Sequence, residues 1–219
     1  MQLEELLKEL HSIIEHSADS ILSDSEQIVS QIANRILLLE EPTPFDATHN
    51  ADFAFAQCCY VVCRLLKPAV VVETGVAYGV TSSFILHALE TNGKGVLYSI
   101  DLPPLARDAD KFVGVLVPAE LRHRWKLFRG VNKRVLPSLL KELGRVDLFL
   151  HDSLHTYDNM KFELRRIVPY LSRPGVVISD DIHGNRAFLE WVLERRPDFW
   201  AAVREKSKDG IFGIAVFSE

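Results

Sequence analysis

From residue 70 onward the chain repeats one texture: a short, continuous apolar run, an amphipathic stretch with helical spacing, then another apolar run. The runs are Val70 to Thr74, Val96 to Ile100, Trp125 to Phe128, Val146 to His151 and Gly175 to Ser179. Helical patterns over Thr81 to Glu90, Pro118 to Arg122, Val135 to Leu143 and Tyr157 to Leu171 separate most of them. Strands that are apolar on both faces, with helices between them, bury those faces only in a mainly parallel sheet covered on both sides. The tail breaks the rhythm. Phe199 to Glu205 and Phe212 to Phe217 are strand-like runs joined through Lys208-Asp209-Gly210 with no helix between them, which predicts an antiparallel hairpin. The expected fold is therefore α/β, a seven-stranded, mainly parallel sheet with a C-terminal hairpin and helices on both faces.

Upstream, Leu3, Leu6, Leu7, Leu10, Ile13 and Ile14 mark one amphipathic helix. Ser23 and Glu26 offer a capping box for a second, carrying Ile28, Val29, Ile32, Ile36 and Leu37 and ended by Pro42 and Pro44. A further helical pattern runs from Ala51 to Leu66. Residues 1–48 thus form a helical extension and 49–219 the main domain. Neither of the first two helices is long enough to stand alone, so they must cover the sheet or pair with a second copy as a homodimer. Cys58, Cys59 and Cys63 sit too close together for a disulfide framework, and the helical spacing of Cys59 and Cys63 predicts buried small hydrophobes.

Composition narrows the function. With 25 Lys and Arg against 30 Asp and Glu, the net charge of −5 lacks the basic excess of a nucleic-acid binder. No apolar run approaches the ~20 residues that span a bilayer. The leucines of the amino end are interspersed with acids, unlike a signal peptide, so a cytoplasmic enzyme or binding protein is expected.

The sharpest motif is Val71-Val72-Glu73-Thr74-Gly75-Val76-Ala77-Tyr78-Gly79-Val80-Thr81-Ser82. A buried strand runs into a glycine turn and then a helix, letting backbone approach a ligand and aiming free N–H groups at an anion. The next strand ends at Asp101, whose carboxylate can accept both hydroxyls of a ribose. Strand, turn, helix, strand and acid together point to an adenosine-type cofactor at the carboxyl edge of the sheet. Gly75 and Gly79 are separated by three residues with no third glycine in place, which departs from the dinucleotide fingerprint and leaves an NAD-dependent oxidoreductase as the alternative.

The segment Glu73 to Gly79 resembles the first motif of class I S-adenosylmethionine-dependent methyltransferases, and the Rossmann-like order of elements ending in a hairpin is theirs too. Ala77 stands where that motif usually has its central glycine, as in the catechol-O-methyltransferase-like branch. The resemblance implies that Glu73 sets the loop, Gly75, Ala77 and Gly79 pass the methionine part, and Thr81 binds its carboxylate. It also implies that Asp101 takes the ribose and that Gly130 and Val131 lie along the adenine.

Two acidic strand ends complete the picture: His151-Asp152-Ser153-Leu154-His155 and Ser179-Asp180-Asp181-Ile182-His183. If their strands are neighbours, Asp152, Asp180 and Asp181 converge on one rim and need protons or a cation, and oxygen-only ligation favours Mg²⁺, with Ca²⁺ or Mn²⁺ as the alternatives. The other reading is that these aspartates only cap the helices that follow. His155 and His183 are candidate general bases. These segments resemble metal-dependent O-methyltransferases, most closely the group containing macrocin-type sugar O-methyltransferases and cephalosporin-hydroxylase-like proteins. The resemblance implies metal ligation by Asp152, Asp180 and Asp181 and O-methylation of a small-molecule hydroxyl, with Leu102 to Lys111 and Pro42 to Asn50 covering the acceptor. A non-catalytic S-adenosylmethionine-binding subunit is the remaining rival, and it would keep Glu73, Gly75 and Asp101 but bind no metal.

Overall fold

The computed structural model describes residues 18–39, 51–102 and 108–218. The helix expected over Leu3 to Ile14, the loop Pro42 to Asn50 and the centre of the loop Leu102 to Lys111 lie outside the described residues, as does the domain boundary after residue 48.

Seven strands form one sheet: β1 (Val70–Thr74), β2 (Val96–Asp101), β3 (Trp125–Arg129), β4 (Val146–His151), β5 (Leu171–Ser179), β6 (Phe199–Arg204) and β7 (Ile211–Phe217). Their order is β3-β2-β1-β4-β5-β7-β6. Strands β1 to β5 are mutually parallel, whereas β7 runs antiparallel to both β5 and β6. Two antiparallel steps restore the original direction, so β6 ends on the same rim as β1 to β5. The chain leaves β1 toward β2 and β3, then returns to place β4 on the other side of β1. That reversal opens a crevice at the carboxyl rim, where open α/β sheets bind ligands.

Side-chain alternation explains the layers. Val71, Leu97, Leu148, Leu150, Val176 and Ile178 face one core with α1 (Ala18–Leu37), α2 (Phe53–Leu66) and α3 (Val80–Thr91). Val72, Ile100, Phe149 and Val177 face the other, with α5 (Asn132–Leu143), α6 (Tyr157–Ile167) and α7 (Ala187–Arg195). The ends of α2, α3 and α5 lie within three residues of the predicted ones; α4 (Ala109–Phe112) is a single turn near the rim. The three cysteines are free and buried in α2, as their spacing predicts. Among the described residues no helix is long and apolar enough to cross a membrane.

Several boundaries differ from the sequence reading. Helix α1 starts at Ala18, so Ser23 lies inside it rather than capping it, and it ends at Leu37, short of the prolines. Its Ile28 and Ile32 are buried in the core of this same chain, which provides the cover that an isolated helix needs. The helix expected over Tyr157 to Leu171 stops at Ile167; Val168–Tyr170 tighten into a 3₁₀ turn and Leu171 already belongs to β5. Pro169 has no N–H to continue an α-helical ladder. Pro118 to Arg122 is likewise 3₁₀, over Ala119–Arg124. Helix α7 is an addition, a short stretch whose Phe188, Trp191 and Val192 recur at helical spacing and are buried.

Candidate active site

The turn after β1 is built around glycines that nothing else can replace. Gly75 has φ +87°, and a Cβ there would stand 1.9 Å from the Asp152 carbonyl oxygen. Gly79 has φ +90°, and its Cβ would meet the Gly114 Cα at 2.8 Å. Ala77 occupies the left-handed region at φ +46°, a conformation that L residues rarely adopt. The Gly75 N–H donates to the Ile100 carbonyl at 2.9 Å, and the Gly114 N–H to the Ala77 carbonyl at 2.9 Å. These bonds pin the turn between β2 and the segment before β3.

Glu73 is wholly buried beneath this turn. Its Oε2 accepts from Ser82 Oγ at 2.7 Å and Ser99 Oγ at 2.6 Å, which joins β1, β2 and α3. Oε1 has no partner, and burial outweighs the two hydroxyls and pushes the carboxyl up to about 7. Thr81, in the first turn of α3, also holds a buried hydroxyl without a partner. Asp101 closes β2. One of its oxygens accepts the Val76 N–H at 3.1 Å, and the other accepts Arg129 Nη1 at 3.1 Å. Burial raises its carboxyl above the usual range although these donors oppose the shift. The Gly130 N–H donates to the Asp101 carbonyl at 3.0 Å, and Val131, half-exposed, leads into α5. Glu73, Gly75, Ala77, Gly79, Thr81, Asp101, Gly130 and Val131 thus form one continuous stretch of rim across β1, β2 and β3.

On the other side of β1, His151 of β4 is in register with Ser179 of β5. Asp152 and Asp180 therefore leave adjacent strands side by side. The Asp152 N–H donates to the Thr74 carbonyl at 2.9 Å and the Asp180 N–H to the His151 carbonyl at 2.8 Å. Asp152, His155 and Asp180 each present one ligand atom, all within 4.8 Å of one another. Asp181 stands outside this set. Its backbone is left-handed at φ +48°, and its carboxylate lies 3.0 Å from His155 Nδ1 and 3.8 Å from His183 Nδ1. The histidine, rather than the third aspartate, completes the trio. His183 sits at the outer edge, half-exposed.

The electrostatics are those of an incomplete site. Burial, reinforced by the charge of Asp180, holds the Asp152 carboxyl well above its ordinary range, and burial with the charge of Asp181 raises Asp180. Burial lowers His155. Asp180 Oδ1 and His155 Nε2 are buried with no hydrogen-bond partner. Helix capping does not account for these aspartates. Thr156 precedes α6 and Arg186 precedes α7, where Asn185 Oδ1 accepts the Ala187 N–H at 2.8 Å; Asp181 makes no capping hydrogen bond.

Three further residues escaped the sequence reading. Glu163 of α6 is fully buried and satisfied by five donors. Its Oε2 accepts from Thr74 Oγ1 at 2.6 Å and His151 Nδ1 at 2.7 Å. Its Oε1 accepts from Asn132 at 2.8 Å, Ser153 at 3.0 Å and Asn159 at 3.0 Å. Thr74 precedes Gly75, His151 precedes Asp152, and Asn132 follows Val131, so one carboxylate fixes three loops of the rim. Against the upward push of burial, these bonds hold it below the ordinary glutamate range. Glu163 falls on the stripe Met160, Glu163, Leu164, Ile167, and a charge inside an apolar stripe was the available signal.

Glu205, just beyond β6, is the second, and Asp52 the third. Glu205 is buried, both carboxylate oxygens lack partners, and burial with the charges of Asp180 and Asp52 pushes it up to about 8. Its signal was alternation: Ala201, Val203 and Glu205 are the inward residues of one strand run. Next to it, Asp52 accepts the Ala54 N–H at 2.6 Å as the cap of α2 and the Ser207 N–H at 2.8 Å, which staples the β6–β7 turn to that helix.

Known proteins share this architecture. An O-methyltransferase from Bacillus cereus, solved in complex with SAH, superposes with a TM-score of 0.60 at 13% identity over 98% of this chain and 100% of that one. The O-methyltransferase TomG from Streptomyces achromogenes, involved in tomaymycin synthesis and solved with SAM, gives 0.57 at 17% identity over 100% of both chains. A methyltransferase from Geobacter sulfurreducens gives 0.58 at 18% identity, covering 85% of this chain and 94% of that one. No curated protein sequence matches the chain. The family described as methyltransferase domain matches residues 72–182, which begin inside β1 and end just beyond the Asp180-Asp181 pair. That match takes in half of the sequence and both halves of the rim, and the chain belongs to the methyltransferase domain family.

Proposed function

We propose that the protein transfers the sulfonium methyl group of S-adenosylmethionine (SAM) to a hydroxyl oxygen of a small molecule. The observation that carries this reading is the contact between Gly75 and the Asp152 backbone, which sets the glycine turn directly against the carboxylate cluster. A methyl donor cradled by the first would present its reactive group to an acceptor held by the second. The residues fit the donor. The turn admits no Cβ at Gly75 or Gly79, and the buried Thr81 hydroxyl and Glu73 Oε1 lack the partners a ligand would supply.

Asp101 receives the ribose hydroxyls, Gly130 and Val131 flank the adenine, and Thr81 meets the amino-acid carboxylate. Asp152 and Asp180 hold a divalent cation, a role suited to a partly buried and a buried carboxyl whose charges repel, with Asp180 Oδ1 unpartnered. Such a cation, when bound, lowers the pKa of an acceptor hydroxyl and orients it. The rim residues hold the oxygen in line with the methyl carbon, and most of the rate comes from that positioning. The carbon–sulfur bond breaks as the carbon–oxygen bond forms, giving S-adenosylhomocysteine (SAH) and a methyl ether. The hydroxyl proton leaves toward His183 at the solvent edge.

Calorimetric titration of the purified protein with SAH and, separately, with NAD tests the donor. SAH binding that weakens by roughly 10-fold or more in Asp101→Ala, the loss of charge-assisted hydrogen bonds, supports the assignment. Binding of NAD in place of SAH overturns it and assigns Asp101 to a dehydrogenase.

A further inference from the structure

We infer that His155 is a metal ligand, that it forms with Asp152 and Asp180 a mixed nitrogen–oxygen site for a first-row transition-metal dication, and that Asp181 orients this histidine from outside the site. The inference rests on the reading above that Asp152 and Asp180 hold a cation, and it changes which cation and which residues.

The argument starts from the two nitrogens of one imidazole. His155 Nδ1 lies 3.0 Å from Asp181 Oδ2, and a carboxylate at that distance takes an N–H, so the proton resides on Nδ1. Nε2 is then a bare lone pair. It is buried, it has no hydrogen-bond donor, and it stands 3.8 Å from Asp152 Oδ1, too far for a hydrogen bond. A lone pair facing a carboxylate across that gap is a repulsive arrangement unless a cation lies between them. Asp180, 5% exposed, adds a buried oxygen with no partner, and the three ligand atoms lie within 4.8 Å of one another. One nitrogen and two carboxyl groups therefore face a common point, and the His155 Nε2 and Asp180 Oδ1 atoms there have no hydrogen-bond partner.

The outer partner has a recognised role. Metal-bound histidines almost always give their second ring N–H to a carboxylate, which fixes the tautomer and raises the basicity of the ligating nitrogen. Asp181 is placed to do this, and its left-handed backbone at φ +48° turns its side chain to His155 and away from a ligand position beside Asp180. The opposite flank of the histidine is also fixed. The His151 ring packs edge-on against it at 5.6 Å between centroids, and His151 is itself held by Glu163. An imidazole ligand suits Zn²⁺, Fe²⁺, Co²⁺ or Ni²⁺ far better than Mg²⁺, which prefers oxygen and water.

The test is titration of the full chain, stripped with chelator, by Co²⁺ and by Mg²⁺, with calorimetry and the d–d absorption of Co²⁺ as readouts. His155→Ala is expected to weaken Co²⁺ roughly 10–100-fold and shift its absorption spectrum while leaving Mg²⁺ within about 3-fold. Asp181→Asn, near-isosteric and with a residue that also adopts the left-handed backbone found there, is the second variant and is expected to weaken Co²⁺ by roughly 10-fold. Equal sensitivity of the two ions to His155→Ala, or an unchanged Co²⁺ spectrum, overturns the inference and leaves an oxygen-only site. Stronger loss in Asp181→Asn than in His155→Ala overturns it by making Asp181 the ligand. If neither ion binds the unmutated protein, the cation reading itself fails with it, and SAH titration still judges the methyltransferase reading separately.

Discussion

Two groups of buried carboxylates flank the same strand pair and are treated in opposite ways. On the side of α6, Glu163 receives five donors from four elements and is held below its ordinary pKa. On the side of β5 and β6, Asp180 and Glu205 keep unpartnered oxygens and are pushed above theirs. Burial is common to both, so the difference lies in donors. A charge surrounded by donors is finished structure, whereas one buried among other acids is stabilised only by something that arrives later. The Glu163 network is finished within the fold, whereas Asp180 and Glu205 are not.

This contrast is easiest to break at Glu163. Glu163→Ala leaves His151, Thr74 and Asn132 without their acceptor in the core, and a loss of about 3–5 kcal/mol in urea unfolding is expected. A loss below about 1 kcal/mol would mean that the network merely decorates the helix.

Glu205 gives the next largest effect, with the opposite dependence on pH. Its folded pKa of about 8 lies above the unfolded value near 4.5, so the folded state holds the proton more tightly. The stability this confers is full below pH 4.5 and disappears as pH rises through about 8. Thermal unfolding should therefore show the unmutated protein losing on the order of 2 kcal/mol relative to Glu205→Gln between pH 5 and pH 9, after allowance for solvent screening. A difference that does not change with pH would place Glu205 among satisfied groups. Glu163, lowered in the folded state, contributes in the reverse sense: its stability is present above the unfolded glutamate pKa and is lost in acid.

The smallest effect sharpens the comparison from within. Ser153 supplies one of three donors to Glu163 Oε1, so Ser153→Ala should cost only about 0.5–1 kcal/mol and leave SAH affinity within about 2-fold. A larger shift in affinity would show that the network is strung tightly enough for one hydroxyl to move the glycine turn.

How far the sequence discloses this molecule depends on whether the signal is local. Strands β1 and β4 fall where the apolar runs place them, and the Gly75 turn announces itself because backbone conformation restricts the residue type. Asp152 and Asp180 could be brought together on paper because parallel neighbours share a rim. The approach of His155 to that pair could not, since the pairing of His155 with Asp181 involves one left-handed residue whose rotation no spacing encodes. Glu163 and Glu205 were hidden for a related reason. Each is a charge on an otherwise apolar face, and only the packed structure tells whether five donors or none will meet it.

The staple between Asp52 and Ser207 gives the hairpin a separate economy. The β6–β7 turn is anchored to α2 and stands beyond β5 and β7, whereas the Glu163 network draws only on β1, β4, α5, α6 and the loop after β4. The same turn carries Lys208, whose charge acts on Asp152 and Glu205, so its composition sets the charge beside the carboxylate cluster while the staple fixes where it stands. A designer seeking a new specificity can keep Ser207 as the anchor and vary position 208 to retune the charge that the carboxylate cluster meets.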